Sequence, residues 1–563
     1  MSTVPLIEPP PAAASEDRLA RVSPRPERST PNPRWRAAAI AIAAIVLAWT
    51  FAPYILTALD AAAHHETFLG VAGYYPMDGL QYLAWVRDAH DGLIRSLYGS
   101  AGHAVFVHPM FSLTGVVRGT LGVSPAAIMA FWDGVAALVL LGGCVSLVTR
   151  YIPSGRVGRR AVALLLALFG GLTPAVVLLA WLDWGTAGVD FARAAGDLVP
   201  AMSLWGYAPL AIALGLMPLA IERVERLLSG RGDRRTILGA AAMGLLVAWL
   251  HPWQGITLLA VAAGLVLWRA LDARDAGRAA GLRARVAAVR RPARSLAPVT
   301  VATALPVLYY LLLSHVDGGW ATSERNSVDA AVIPGLVTLT CVVPVSLIGL
   351  WAARRTLRDP RTRAMLLWLL ATLFTIGISP SGQYRALDGL AIPVAILVVR
   401  AWPDWPSRRR GRLAAAIALA GVLAPLMFFG VGAFGHLRSR EVTAYTELNP
   451  SDVRAARLAA AHTGGAPVLA PAEFGTAIPA LTDAVSWVGH PIWTPNYSQR
   501  RNQARLLFSG ALAPAQARQF VLSTRVGVLL EPCGMRANLE PALAPLGFRA
   551  TRVGCALVYT RAL

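Results

Sequence analysis

The chain contains no lysine; all 52 of its basic residues are arginine. Charge of either sign is scarce. Charged residues make up 15% of the 563 residues, against about 25% in soluble globular domains. With 55% hydrophobic residues and a mean hydropathy of +0.52, that scarcity excludes an ordinary soluble protein. Only four cysteines occur, and no Cys and His spacing of a zinc site is present. Also missing are a Gly-rich phosphate loop, a Gly-x-Ser-x-Gly elbow and a His-Glu-x-x-His motif. No lysine, with much Ala, Gly and Pro, suggests GC-rich codons in a bacterium.

What is present is a series of apolar runs. They lie near 37–59, 125–148, 161–182, 205–221, 236–250, 254–269, 296–314, 330–352, 364–379, 386–401 and 413–435. The net charge of +21 comes from arginine clusters between these runs, which is the positive-inside pattern. A nucleic-acid footprint would need a soluble basic face, so nucleic acid is not an expected partner. Arg34 and Arg36, Arg150 to Arg160, Arg223 to Arg235, Arg269 to Arg294, Arg354 to Arg363 and Arg400 to Arg412 are expected on the cytoplasmic side. Residues 103–122 are apolar too, but a crossing there would put arginine clusters on the wrong side. They are read as a re-entrant or interfacial helix.

The expectation is a mainly α protein, a polytopic membrane bundle of about eleven spans with a small C-terminal extracytoplasmic α/β domain. Residues 1–36 read as a disordered cytoplasmic tail rather than a signal peptide, because the run 37–59 is too long for a signal core. The membrane domain covers 37–435 and the outer domain 436–563. In the latter, Ser451 reads as a helix N-cap, and Pro467 to Ala470, Val526 to Leu530 and Cys555 to Tyr559 read as strands. Cys533 and Cys555 sit near the ends of two such strands. An oxidising compartment permits a disulfide there, though spacing alone does not establish its geometry.

Candidate chemistry collects in the outer loops. Asp78 follows Tyr74-Tyr75-Pro76-Met77 and opens an amphipathic helix carrying Tyr82. Two roles fit it: a general base for an attacking hydroxyl, or the N-cap of a capping box with Gln81. His251-Pro252-Trp253 closes a helix that spans only about 22 Å at 1.5 Å per residue, short of a hydrocarbon core of about 30 Å. Its turn is therefore expected to be recessed, with His251 either at a substrate or in a stiffened hairpin. Gln383 and Arg385 lie on a turn before the span 386–401. Arg385 suits a phosphate, and pairing with Asp388 is the alternative. Asp133 lies within a span and is expected to face a cavity or an arginine such as Arg118 or Arg385. Asp60, His64, His65 and Glu66 read as a solvated loop more readily than as a metal site.

The stretch Asp78-Gly79-Leu80-Gln81-Tyr82-Leu83 with its Arg87 to Gly92 continuation, the segment His108-Pro109-Met110 to Gly122, and Glu473-Phe474-Gly475 with Trp487 to Pro495 resemble the GT-C superfamily of integral membrane glycosyltransferases. Many members carry two carboxylates in the first outer loop, where this chain has Met-Asp-Gly. The resemblance implies sugar transfer from a polyprenyl-phosphate carrier to a cell-envelope glycan, lipid or protein on the outer face of the cytoplasmic membrane. Asp78 would be the base of an inverting displacement. Arg385, with His251, would neutralise the departing phosphate, and Tyr82, Gln383 and Asp133 would complete the site. No cofactor beyond the donor is implied, and a divalent-metal requirement stays open. A transporter or lipid flippase is a competing reading, although no internal repeat supports it. A non-catalytic scaffold presenting the C-terminal domain is another.

Overall fold

The structure, a computed structural model, describes residues 32–73, 75–99, 103–170, 198–276, 282–330, 342–357, 359–378, 387–401, 445–535 and 537–561. The expected span 413–435, Cys341, Gln383 and Arg385 lie outside the described residues.

The chain is mainly helical. The first helix, α1 (Pro33–Ala63), starts where the Asn32 side chain accepts the Arg34 N–H and Pro33 occupies the first position. At 31 residues it is about 46 Å long, enough to cross a bilayer with some tilt. Trp35, Ile42, Val46 and Thr57 face the protein, while Ile40, Ile45, Ile55 and Leu59 are exposed. An apolar outer surface of this kind is what lipid requires. Four described helical stretches are long and apolar enough to cross: Pro33–Ala63, Pro125–Tyr151, Pro252–Asp272 and Ala293–Val316. This is a multi-pass membrane chain.

The remaining helices of the bundle are α2 (Pro76–Asp88), α3 (Pro109–Leu121), α4 (Pro125–Tyr151), α5 (Val157–Phe169), α6 (Ala208–Leu228), α7 (Arg234–Leu250), α8 (Pro252–Ala276), α9 (Leu282–Val316), α10 (Gly318–Ala330), α11 (Val343–Thr356), α12 (Pro360–Ile378) and α13 (Ala391–Ala401). α4 lies along α6, α7 packs on α6 and α9, and α8 packs on α9 and α12. A Cβ at Gly143 of α4 would sit 1.9 Å from the Gly215 carbonyl oxygen of α6. Two backbones touch there, as small residues allow within membranes. α3 has 13 residues and is about 20 Å long, short of a hydrocarbon core of about 30 Å.

The C-terminal unit holds a four-stranded sheet in the order β3 (Val468–Leu469), β4 (Val528–Glu531), β6 (Ala556–Arg561), β5 (Phe548–Val553). β3 and β4 are parallel; the other two pairings are antiparallel. Alternation along β4 sends Val528 and Leu530 into the core continuous with the bundle, and Leu529 into a second core with Leu507, Phe508 and Tyr559. The α14 helix (Pro450–Ala461) is capped two residues before the expected cap. Asn449 is the N-cap and Ser451 supplies the N–H it accepts, because Pro450 occupies the first helical position. Cys533 and Cys555 are bonded, with Cα atoms 5.0 Å apart.

Backbone pairing and side-chain hydrogen bonds dock this unit on the first loop. β1 (Thr67–Phe68) pairs with β2 (Glu447–Leu448), extended by Leu69 N–H to the Thr446 carbonyl at 2.8 Å. Ser486 exchanges backbone hydrogen bonds with Leu97 and Gly99. Arg87 Nε donates to the Ala480 carbonyl at 3.1 Å.

Candidate active site

Where the helix ends meet the C-terminal unit there is a cavity of about 310 Å³. Asp78, Tyr82 and His251 line it together with Gln81, His108, Tyr207, Tyr310, Trp320, Glu324 and Trp493. Four helices begin on its wall: Asp78 lies in the first turn of α2, Phe111 in that of α3, Pro209 in that of α6, and Pro252 and Trp253 open α8. Each of these N-termini presents the positive end of a helix dipole. No arginine is among the described lining residues.

Asp78 is the third residue of α2, and Tyr75 takes the capping position without a side-chain bond. The capping-box role expected from Gln81 is not made. Pro76 has no N–H, and the Tyr75 N–H donates to the Trp205 carbonyl at 3.3 Å. A carboxylate in the first turn is still favoured by the helix dipole. Gln81, one turn on, is 1% exposed, and its Oε1 has no hydrogen-bond partner among the described residues. Tyr82 stacks on Phe111 with ring centres 4.7 Å apart.

His251 ends α7 with an extended backbone, donating its N–H to the Val247 carbonyl at 3.0 Å, and Pro252 starts α8. The ring is 3% exposed and meets Tyr207 and Trp253 edge-on or tilted. Asp133 is not on the cavity wall. It accepts a 2.6 Å hydrogen bond from Tyr54 of α1, not a pairing from Arg118, whose Nη1 donates to the Arg87 carbonyl. Asp133 and Tyr54 face each other across the α1–α4 contact, and of the two expected arginines Arg118 turns elsewhere while Arg385 lies outside the described residues. His64 turns back on Asp60 of its own helix. Among the described residues no group of three His, Cys, Asp or Glu side chains is placed to hold a metal ion.

Aromatic rings form one wall of the cavity. Trp493 from the C-terminal unit meets Trp85 at 5.2 Å and Trp320 at 4.9 Å between ring centres, and Phe106 meets Trp320 at 4.6 Å.

No family model matches the chain, and no curated protein matches it in sequence. Solved structures do match in shape. The oligosaccharyltransferase of Archaeoglobus fulgidus in the apo form shares 14% identity, covers 89% of this chain and 70% of its own, and superposes with a TM-score of 0.50. The chain has the GT-C fold. Two further GT-C structures are similar. One is AglB from the same archaeon in complex with an inhibitory peptide and a dolichol-phosphate (14% identity, 94% and 74% coverage, TM-score 0.43). The other is ArnT from Cupriavidus metallidurans in the apo state (14% identity, 94% and 98% coverage, TM-score 0.48). At such identity the likeness establishes the fold alone.

Within this GT-C fold the structure adds a residue that the sequence did not single out. His490, 2% exposed, places Nε2 3.5 Å from Asp78 Oδ1. His108 is a second addition. Burial pushes its imidazole down to about 3, opposed in part by a hydrogen bond to the Leu250 backbone, and its Nδ1 accepts the Phe111 N–H at the start of α3. The phenol of Tyr98 is pushed above its ordinary value by burial and then by the charge of Asp78. The aromatic run Trp487 to Tyr497 divides between two tasks. Trp493 lines the cavity, whereas Trp487 packs inside the C-terminal unit against Phe520.

Proposed function

We propose that the protein is a glycosyltransferase moving one sugar from a polyprenyl-phosphate carrier to an acceptor hydroxyl, on the extracytoplasmic side of the bacterial cytoplasmic membrane. The acceptor O–H gives its proton to Asp78 while its oxygen attacks the anomeric carbon. The bond from that carbon to the phosphate oxygen breaks with inversion, and polyprenyl phosphate departs. The observation that carries this reading is the position of Asp78: a carboxylate on the wall of an aromatic cavity where four helices begin. Helix N-termini suit a phosphate, and aromatic walls suit a sugar ring. They supply the neutralisation of the leaving group without requiring an arginine on the described wall, with His251 beside them. Arg385 remains a candidate for the same phosphate. The GT-C fold supports the class of reaction, and the fold by itself does not fix function.

The test is transfer of radiolabelled sugar from a panel of polyprenyl-phosphate donors, in spheroplasts and inverted vesicles, by wild type and Asp78→Asn. Covalent transfer lost in the variant is expected. Movement of the carrier across the bilayer with no glycosidic bond formed would point to transport instead. Protease cleavage of the C-terminal unit only in inverted vesicles would overturn the proposed sidedness.

A further inference from the structure

We infer that His490 is the positioning residue of the Asp78 carboxylate, so that the C-terminal unit completes the site and does not merely cover it. The inference rests on the reading of Asp78 as base. The His490 ring is oriented by its own turn: Nδ1 accepts the Ile492 N–H at 3.2 Å. A neutral imidazole with Nδ1 accepting carries its proton on Nε2, the atom that faces Asp78 Oδ1 at 3.5 Å. That nitrogen is buried and has no hydrogen-bond partner among the described residues, so Asp78 is the acceptor within its reach.

The turn that carries His490 is pinned from several sides. Its carbonyl accepts from Trp493 N and Thr494 N, and Thr494 Oγ1 accepts the Gly489 N–H at 3.1 Å. Asn326 of α10 donates Nδ2 to the carbonyls of Pro491, Ile492 and Thr494 at 2.9–3.1 Å. A Cβ at Gly489 would lie 2.5 Å from Tyr98 Cε1, so only glycine lets the turn reach so close to the first loop. A donor held by this many contacts costs little reorganisation when the substrate arrives. His490 engages Oδ1 and keeps its Nε2 proton throughout; the other carboxylate oxygen takes the acceptor's proton. The titratable groups around the pair are Tyr98 of the first loop, with its ring centre 6.3 Å from that of His490, and on the cavity wall His108, His251 and Glu324 with Tyr82, Tyr207 and Tyr310.

The experiment uses the full chain in proteoliposomes with the polyprenyl-phosphate sugar that wild type turns over. His490→Phe is expected to lower kcat about 10- to 100-fold, as a misaligned group does, with donor KM little changed. His490→Gln keeps an N–H donor. It should recover most of the rate at pH 7.5 and lose whatever part of the wild-type pH profile tracks imidazole protonation, roughly pH 5–8. If His490→Phe fails to fold, His490→Gln decides by the same profile. Unchanged kcat in His490→Phe, or an unchanged pH profile in His490→Gln, overturns the inference while leaving Asp78 in place. Full activity of Asp78→Asn removes the base itself, and the inference with it.

Discussion

Two carboxylates in this chain invite a functional reading, and their surroundings separate them. Asp78 stands in a seam between the first loop and the C-terminal unit, bordering a cavity and facing a buried histidine. Asp133 stands inside the helix bundle, 1% exposed, hydrogen-bonded by Tyr54. Each is an acid in a largely apolar sequence, and rarity alone marks both. What distinguishes them is access: a group that borders open volume can meet a substrate, and one sealed between two helices can only hold those helices together. Burial thus argues for function only when a cavity comes with it.

The sharpest way to break the comparison is to neutralise the accessible acid. Asp78→Asn is expected to reduce transfer on the order of 10²–10⁴-fold, the range a general base contributes, with thermal stability near wild type because the side chain is part-exposed. Unchanged turnover would put the two acids in the same structural class.

Next in size is a perturbation confined to the C-terminal unit. Cys533→Ser with Cys555→Ser releases a crosslink between residues 22 apart, worth about 3 kcal/mol by the loop-closure model. Thermal unfolding followed by a tryptophan signal should show the early transition of this unit moving down, while the helical transition stays. If Asp78 depends on the docked unit, activity should disappear with that early transition. Activity surviving it would uncouple the seam from the chemistry.

Tyr54→Phe tests the sealed acid. It removes the hydrogen bond to Asp133 and leaves a buried carboxyl oxygen without that donor, at a cost of about 1–3 kcal/mol. The expected outcome is a lower unfolding temperature in detergent with kcat and donor KM held. A loss of kcat without loss of stability would return Asp133 to the list of reacting groups.

Much of this contrast was legible in the residues. Proline before an amphipathic pattern marked the start of α2, and short helix length marked the turn at His251. Both signals are local, and the structure brings both residues to one cavity. The partner of Asp78 was not legible, because His490 reaches it only through the docking of Ser486 on the first loop, and no periodicity encodes that. Asp133 was matched to Arg118 or Arg385 because charge is the loudest signal in an apolar chain; the Tyr54 hydroxyl that meets it, in a neighbouring helix, gives no such signal. β5 was missed for a related reason. Phe548-Arg549-Ala550-Thr551-Arg552-Val553 is an edge strand with both faces largely exposed, so it lacks the apolar alternation that betrays a strand. Edge strands are often kept polar in this way.

The smallest expected effect concerns the seam itself. Glu447 pairs with Phe68 where the C-terminal unit joins the first loop, and burial, then the neighbouring Asp60 and Glu66, push its carboxyl up to about 7, with His64 opposing. An acid whose pKa is raised on folding holds a proton that the unfolded chain has lost. The native seam is therefore favoured at low pH, and this contribution falls as pH rises from the ordinary glutamate range through about 7. Asp452, held above its ordinary value by burial, adds in the same direction. Amide exchange at Leu69, whose N–H bonds the Thr446 carbonyl, should be less protected at pH 8 than at pH 5.5 once intrinsic rates are divided out. Glu447→Gln should flatten that dependence. A dependence at Leu69 that persists unchanged in Glu447→Gln would remove Glu447 as its source.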